Sequence, residues 1–504
     1  MKLLKNTRKK VVTLAVASAL GGVAMMSAPA HAMNLAQDGK GEVLLFPYYT
    51  VKNGFDTLLS VVNTSDRTTL FKIRFREARN SREVRDFNVA LSPHDVWTGG
   101  VTVNGGGALF RTFDKSCTSP DKDQWTAGPS GSFQVDFTAI GYNGSDPLYP
   151  YDNGGQDAGR VQEGYLEIIE MAHSTVPESS ITSASVIEFA TQHVSGTPRA
   201  CATFDAAFND PTNLVNSTTG SGVFSTFTAP ANVLVGSATL INIASGQAYE
   251  ATPTAVQAFQ DTSTILFPPG DNRPSLATGE AAPTAYQFLN SNANLGTTGQ
   301  TATAITEVVV PASVEAVSAL LSADSLINEY ASGSTDTSSA KTSWVVTFPT
   351  KHHYTDEGLT AAQPPFANLF PPTGRSCDTV SWKYWDREEA TKGGGGKTVF
   401  SPAPSGQPAD ALCYEVNVLT FNGGDIFGTT VPLNVVTTDI GTAGWMRLTL
   451  TSPTPWAATG ATLSGLPTIG FSVIERNNSV DAGNNRNYGS GQPHAKETRL
   501  SGAL

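Results

Sequence analysis

The chain has 504 residues, 32 basic and 44 acidic, for a formal net charge of −12, and only 15% of its residues are charged. An acidic surface repels nucleic-acid phosphates and anionic lipid, and no Lys/Arg cluster beyond Lys10 offsets it, so nucleic acid is excluded as a partner. The 47 glycines and 30 prolines cut the apolar residues into short runs, which predicts a mainly β protein with one or two short helices.

The N-terminus reads as an export leader. Lys2, Lys5, Arg8, Lys9 and Lys10 precede an apolar stretch from Val11 to Met26, and Ala30-His31-Ala32 offers a small-x-small cleavage pattern. That stretch is shorter than the roughly 20 residues needed to span a bilayer. The expectation is a signal peptide over residues 1–32 and an exported chain starting at Met33, with no Cys there for a lipid. Removing the five basic residues of the leader leaves 27 basic against 44 acidic residues, a net charge of −17. Divalent cations, calcium above all, become candidate counterions.

Strand patterns are dense in an N-terminal β domain expected over residues 33–205. Glu42–Val51, Thr57–Asn63, Thr69–Glu77, Val84–Leu91 and Val96–Val103 follow at meander spacing, with turns at Asn53-Gly54 and between Asn63 and Arg67. In Thr69–Glu77, Phe71, Ile73 and Phe75 alternate with Lys72, Arg74 and Arg76, the pattern of a half-buried strand. Gly131–Ile140 and Gly164–Ala172 continue the series. Glu163, Glu167 and Glu170 near Tyr165 read as readily as the wet face of a strand, so no glycosidase carboxylate pair is assigned to them.

A loop-rich middle region, residues 206–335, is dominated by Thr, Ala, Ser, Asn and Gly, with one strong strand pattern at Val233–Ile243. Pro311, Val314, Val317, Leu320, Leu321 and Ile327, with Gly333 beyond them, give the period of an amphipathic helix near residues 313–331. A C-terminal β domain over 336–504 carries strands at Ser343–Thr350, Thr379–Asp386, Leu412–Phe421, Trp445–Thr451 and Thr468–Glu475. The fold class expected is therefore two β-sandwich-like domains around a loop-rich middle. No stretch after the leader has the length and hydropathy of a membrane helix, and the C-terminus lacks the aromatic strand of an outer-membrane barrel, so the protein is not expected to span a membrane.

Cys117, Cys201, Cys377 and Cys413 all fall in the exported part and are even in number, which predicts two disulfides in an oxidising compartment. Of the three connectivities, the sequential one closes the shortest loops; the spacing alone does not decide. No two cysteines are close enough for a zinc knuckle.

Motifs that fix a reaction are missing: there is no Gly-x-Ser-x-Gly elbow, no His-Glu-x-x-His helix and no Cys-x-x-Cys-His site. GGGGKT at 393–398 has Thr391 where a phosphate loop needs its first Gly, and reads as a turn. His352-His353, beside Tyr354, Asp356 and Glu357, form the one local group suited to a transition metal, although neighbours on a strand face opposite ways. Asp146, Asp152 and Asp157 in one loop, and Asp481 among asparagines in another, are candidate calcium ligands. Trp97, Trp125, Trp382, Trp385 and Trp456 are candidates for stacking on sugar rings.

The segments GEVLLFPYYTVKNGFDTLLSVVNTS (41–65), EGYLEIIEMA (163–172), GSATLINI (236–243) and WVVTFPTKHHY (344–354) resemble a group of exported proteobacterial proteins described only as hypothetical or cell-surface proteins. The resemblance covers framework segments across much of the chain. It implies an envelope location and carries over no activity and no functional residues. Two functions are consistent with all of this. One is a structural or interaction protein of the cell surface or periplasm, associating with itself in a layer or adhesive structure; the other is a secreted carbohydrate-binding protein or hydrolase acting on cell-surface glycan.

Overall fold

The computed structural model describes residues 32–147, 149–280, 283–291, 302–334, 338–356, 358–394, 410–430, 432–437, 441–458, 461–478 and 486–498. The leader expected at residues 1–32 lies outside them except for Ala32, as do Asp481, Glu357 and the end of GGGGKT.

The protein is mainly β, with strands gathered into sandwich-like layers. A ten-stranded sheet contains Ala32–Leu35, Val43–Thr50, Arg67–Glu77, Glu83–Leu91 and Glu163–Pro177, and a seven-stranded sheet contains Asp56–Asn63, Val96–Asn104, Gly107–Thr112 and Leu234–Asn242. Leu44, Phe46, Phe71, Ile73, Phe75 and Ile168 from the first pack against Leu59, Val61, Trp97, Val101, Phe110 and Leu240 from the second. These residues alternate along their strands, so each strand delivers one apolar face to the shared core.

The strands of the middle region as far as Val309 belong to these two sheets. Leu234–Asn242 and Gln247–Glu250 extend the seven-stranded sheet, while Thr254–Gln257, Thr284–Ser291 and Ala302–Val309 extend the ten-stranded one. The C-terminal strands build separate five-, six- and three-stranded sheets around Ser325–Ala331, Ser338–Thr347, Val416–Phe421, Ala443–Thr449 and Ile469–Asn478.

The helix expected over 313–331 ends at Leu321, and Ser325–Ala331 is a strand. Leu326 and Tyr330 are buried there while Glu329 is exposed, a spacing that suits a strand edge as well as a helix. Nor is the helix amphipathic: Val314, Ala316, Val317, Ala319, Leu320 and Leu321 are all buried, and it sits inside the protein.

The apolar cores ignore the expected boundaries. One joins Val43, Leu45 and Ile169 to Val317, Trp344 and Leu448; the other joins Phe46 and Phe75 to Val345, Val418 and Phe471. Polar contacts cross the same junction. Thr347 Oγ1 donates to Pro47 O at 2.6 Å, Tyr165 Oη to Pro349 O at 3.1 Å, and Asn53 Nδ2 to Ile426 O at 2.7 Å. Cys117 is bonded to Cys201 and Cys377 to Cys413.

Candidate functional site: a buried ionic layer and the clefts beside it

Arg67–Glu77 lies inside the ten-stranded sheet between Glu163–Pro177 and Glu83–Leu91. Its alternation sends Phe71, Ile73 and Phe75 into the core, as expected, but the opposite face is not wet. Lys72 and Arg74 are each 1% exposed and Arg76 is 7% exposed. The half-buried reading fails because a second layer covers the charged face. Glu163, Glu167 and Glu170, expected in solvent, are buried with it.

A buried charge persists only when paired and hydrogen-bonded, and the register supplies the pairs. Arg74 stands opposite Glu167 on one neighbouring strand and Asp86 on the other. Glu167 Oε1 lies 3.2 Å from Arg74 Nη1 and 2.7 Å from Arg76 Nη2, while Arg74 Nε donates to Glu83 Oε2 at 2.7 Å. Burial opposes ionisation of Glu167, but Arg76 and Arg74 outweigh it and hold the carboxyl below its ordinary range. Burial lowers Lys72 to about 8 against the opposing pull of Asp86, 3.1 Å away.

The cover is a strap from Phe267 to Ser275. Lys72 Nζ donates to the carbonyls of Pro268, Asp271 and Arg273, Arg74 donates to those of Pro274 and Asp271, and the Gly270 amide donates to Asp86. A cleft lies on each side. One, of about 430 Å³, is lined by Arg76, Arg82, Tyr149, Arg273, His352 and Asp356. The other, of about 520 Å³, is lined by Arg85, Gln124, Trp125, Asp205, Asn209 and Pro269.

In the first cleft each arginine already has a carboxylate: Arg76 has Glu167, Arg82 has Asp356 at 2.5 Å and Arg273 has Asp271 at 2.8 Å. His352 and His353 follow the end of a strand and occupy a single helical turn, His352–Thr355, with ring centres 4.0 Å apart. The helical turn, not a strand, brings the two imidazoles to one side. Burial, then His353, Arg76, Arg82 and Arg74, push His352 well below its ordinary value, so its ring is neutral near pH 7. The same cations disfavour a metal ion at these histidines. Among the described residues no cluster of three or more His, Cys, Asp or Glu is arranged to hold a metal.

The aspartates proposed from sequence as calcium ligands are separated by their partners. Asp152 is buried against Arg160, Asp157 is exposed and meets Arg79 at 3.3 Å, and the Asp146 carbonyl closes a turn to Tyr149. The tryptophans do not line up. Trp97 is fully buried and stacked on Phe110 at 5.2 Å, and Trp382 is buried in the other core. Trp385 is half-buried and stacked face to face on Trp445 at 3.9 Å. Trp456 lies opposite Leu463 in the Thr451–Ala458 strand. Trp125 borders a cleft of size suited to a small ligand, with Phe87 behind it at 5.0 Å.

Sequence reasoning missed Arg74, Arg76 and Glu167 as a buried set. The signal was there: opposite charges at alternate positions of two apolar strands, which a wet face does not require. Comparison with known protein families finds no matching family model, and comparison with curated proteins finds no relative.

Proposed function

We propose that this chain is an exported structural or interaction protein of the bacterial envelope, acting by association at the cell surface or in the periplasm. The observation that carries the reading is the fastening of its sheets into one body. Ion pairs such as Arg82 with Asp356 and shared cores tie residues near the N-terminus to residues past 340, and the two disulfides brace the segments 117–201 and 377–413 on either side of that junction. Such investment in rigidity, together with a weakly charged, acidic, Thr- and Ser-rich surface, suits a module that presents itself to partners outside the cytoplasm. Its partners in this reading are further copies of the chain, with calcium offsetting the acidic surface between them.

A second reading rests on the Trp125 cleft, where an indole beside Gln124, Asn209 and Asp205 offers a stacking face and polar groups to a sugar. Gln124 Nε2 and Ser119 Oγ both donate to Asp205, which orients that carboxylate at the cleft. Electron microscopy of protein isolated from the envelope, with and without a calcium chelator, tests the first reading. Arrays or filaments that disperse on chelation are expected. A monodisperse monomer indifferent to calcium overturns the assembly and leaves glycan titration of Trp125 fluorescence as the test of the second.

A further inference from the structure

Lys351 lies just past the strand Ser338–Thr347 and is 1% exposed. Its Nζ is 2.7 Å from Asp378 Oδ2, and neither side chain reaches solvent. The approach is not that of a hydrogen bond, since Oδ2 has no partner aligned for one, while the Asp378 Oδ1 accepts from the Ala367 amide at 3.3 Å. Nζ donates to the Ser376 carbonyl and lies over the rings of Phe348 and Phe366, 5.3 and 5.2 Å from their centres.

A third group completes the arrangement. Glu415 is 1% exposed, and its Oε2 has no hydrogen-bond partner. Its carbonyl accepts from the Phe348 amide at 2.8 Å, which places Glu415 beside the turn that carries Lys351. Burial holds the Glu415 carboxyl well above its ordinary value, with Lys351 the foremost cation acting against that shift. The Cys377–Cys413 bond sets the geometry: Asp378 follows one cysteine, Glu415 lies two residues beyond the other, and Asp378 pairs in register with Leu412.

We propose that Lys351 and Asp378 are a self-modification site, joined by an amide bond that the folded protein makes with Glu415 as the group that moves the protons. Transfer of one proton from the ammonium to the carboxylate gives the amine and the acid that the reaction consumes. The amine lone pair adds to Asp378 Cγ while Glu415 protonates the carboxyl oxygen. The nitrogen gives up a proton to Glu415, the C–O bond breaks, and one water leaves. Amine plus acid thus becomes amide plus water, with Glu415 returned to its starting state and no oxidant or cofactor consumed.

A second buried pair shows what the site would lack if it were only an ion pair. Lys72 and Asp86 meet at 3.1 Å, but Lys72 Nζ donates to three carbonyls at 2.7 to 2.9 Å, which engage all three of its N–H bonds. Lys351 has one such carbonyl among the described contacts.

The test is the mass of the purified full chain after complete reduction of its disulfides, followed by peptide mapping. Expected are a mass one water below that calculated for the isolated chain from its sequenced N-terminal residue onward, and a branched peptide linking Lys351 to Asp378. A full-length mass with no deficit overturns the proposal, as does a water loss mapped elsewhere. Glu415→Gln keeps the shape of the side chain and is expected to restore the full mass. A variant that still loses water at Lys351 removes Glu415 from the reaction. Lys351→Arg, which retains the charge and cannot form the amide, is expected to show the full mass even if its fold is weakened.

Discussion

Arg160 and Asp152 are joined by two parallel hydrogen bonds, Nη1 to Oδ1 and Nη2 to Oδ2, each 2.8 Å long, with neither side chain exposed. Glu77 meets the same guanidinium at 2.8 Å, and the Tyr142 ring lies 4.1 Å from it. Asp152→Ala leaves a buried cation short of a partner and is expected to cost about 3–5 kcal/mol in denaturant unfolding. Asp157→Ala, at an exposed pair, is expected to cost about 1 kcal/mol or less. Equal losses from the two would contradict a structural role for Asp152 and return it to the list of surface ligands.

The buried histidine His494 gives the fold a dependence on acid. It donates from Nε2 to Val345 O at 3.0 Å and packs on Trp344 at 5.0 Å. Burial pulls its pKa from 6.5 to about 4, with the Val345 bond acting the other way. The folded chain thus binds this proton more weakly than the unfolded chain. The stability it contributes is whole above pH 6.5 and is lost as the pH falls toward 4, a change of about 3 kcal/mol. Unfolding free energies at pH 7 and pH 4 are expected to differ less in His494→Gln than in the parent by about that amount. An unchanged difference would mean that the histidine is charged in the folded state.

Breaking the bond between Cys117 and Cys201, which are separated by 84 residues, frees a long loop in the unfolded chain. The double change to Ser is expected to lower stability by about 4 kcal/mol. The thermal melt of the variant is expected to lie below that of the oxidised parent and above that of the fully reduced parent, which has lost the Cys377–Cys413 bond as well. A variant as stable as the oxidised parent would show that the bond is dispensable.

Two tryptophans separate core packing from surface stacking. Trp97→Ala empties a filled site between two sheets and is expected to cost about 3–5 kcal/mol. Trp385→Ala removes one half of the Trp385–Trp445 stack at a half-buried position, and about 1 kcal/mol is expected beyond lost area, together with a change in near-ultraviolet circular dichroism. A larger loss from Trp385 than from Trp97 would invert the assignment.

How much of this was legible in the sequence depended on the range of the interaction. Period-two alternation located strands such as Asp56–Asn63 and Glu83–Leu91 within a residue or so, because the pattern is local. The burial of Lys72, Arg74 and Arg76 was not legible, since it depends on a strap some 200 positions along the chain that covers their face. The helix at Ser313–Leu321 was visible, but its end was not, because Leu326 and Tyr330 satisfy a helical and a strand spacing alike. Asp152 looked like a cation ligand in a polar loop, and only its two hydrogen bonds to Arg160 reveal the ion pair. The cysteine pairing was open among three connectivities until the structure brought Cys117 to Cys201 and Cys377 to Cys413.

The claim that this protein works outside the cytoplasm is tested most directly by treating cells whose outer membrane has been opened and whose inner membrane is intact with a protease, and sequencing what is released. The account predicts peptides of this chain in the released material, the first of them starting at Met33. A chain found only after lysis, in the cytoplasmic fraction and still carrying Lys2 to Ala32, would contradict it.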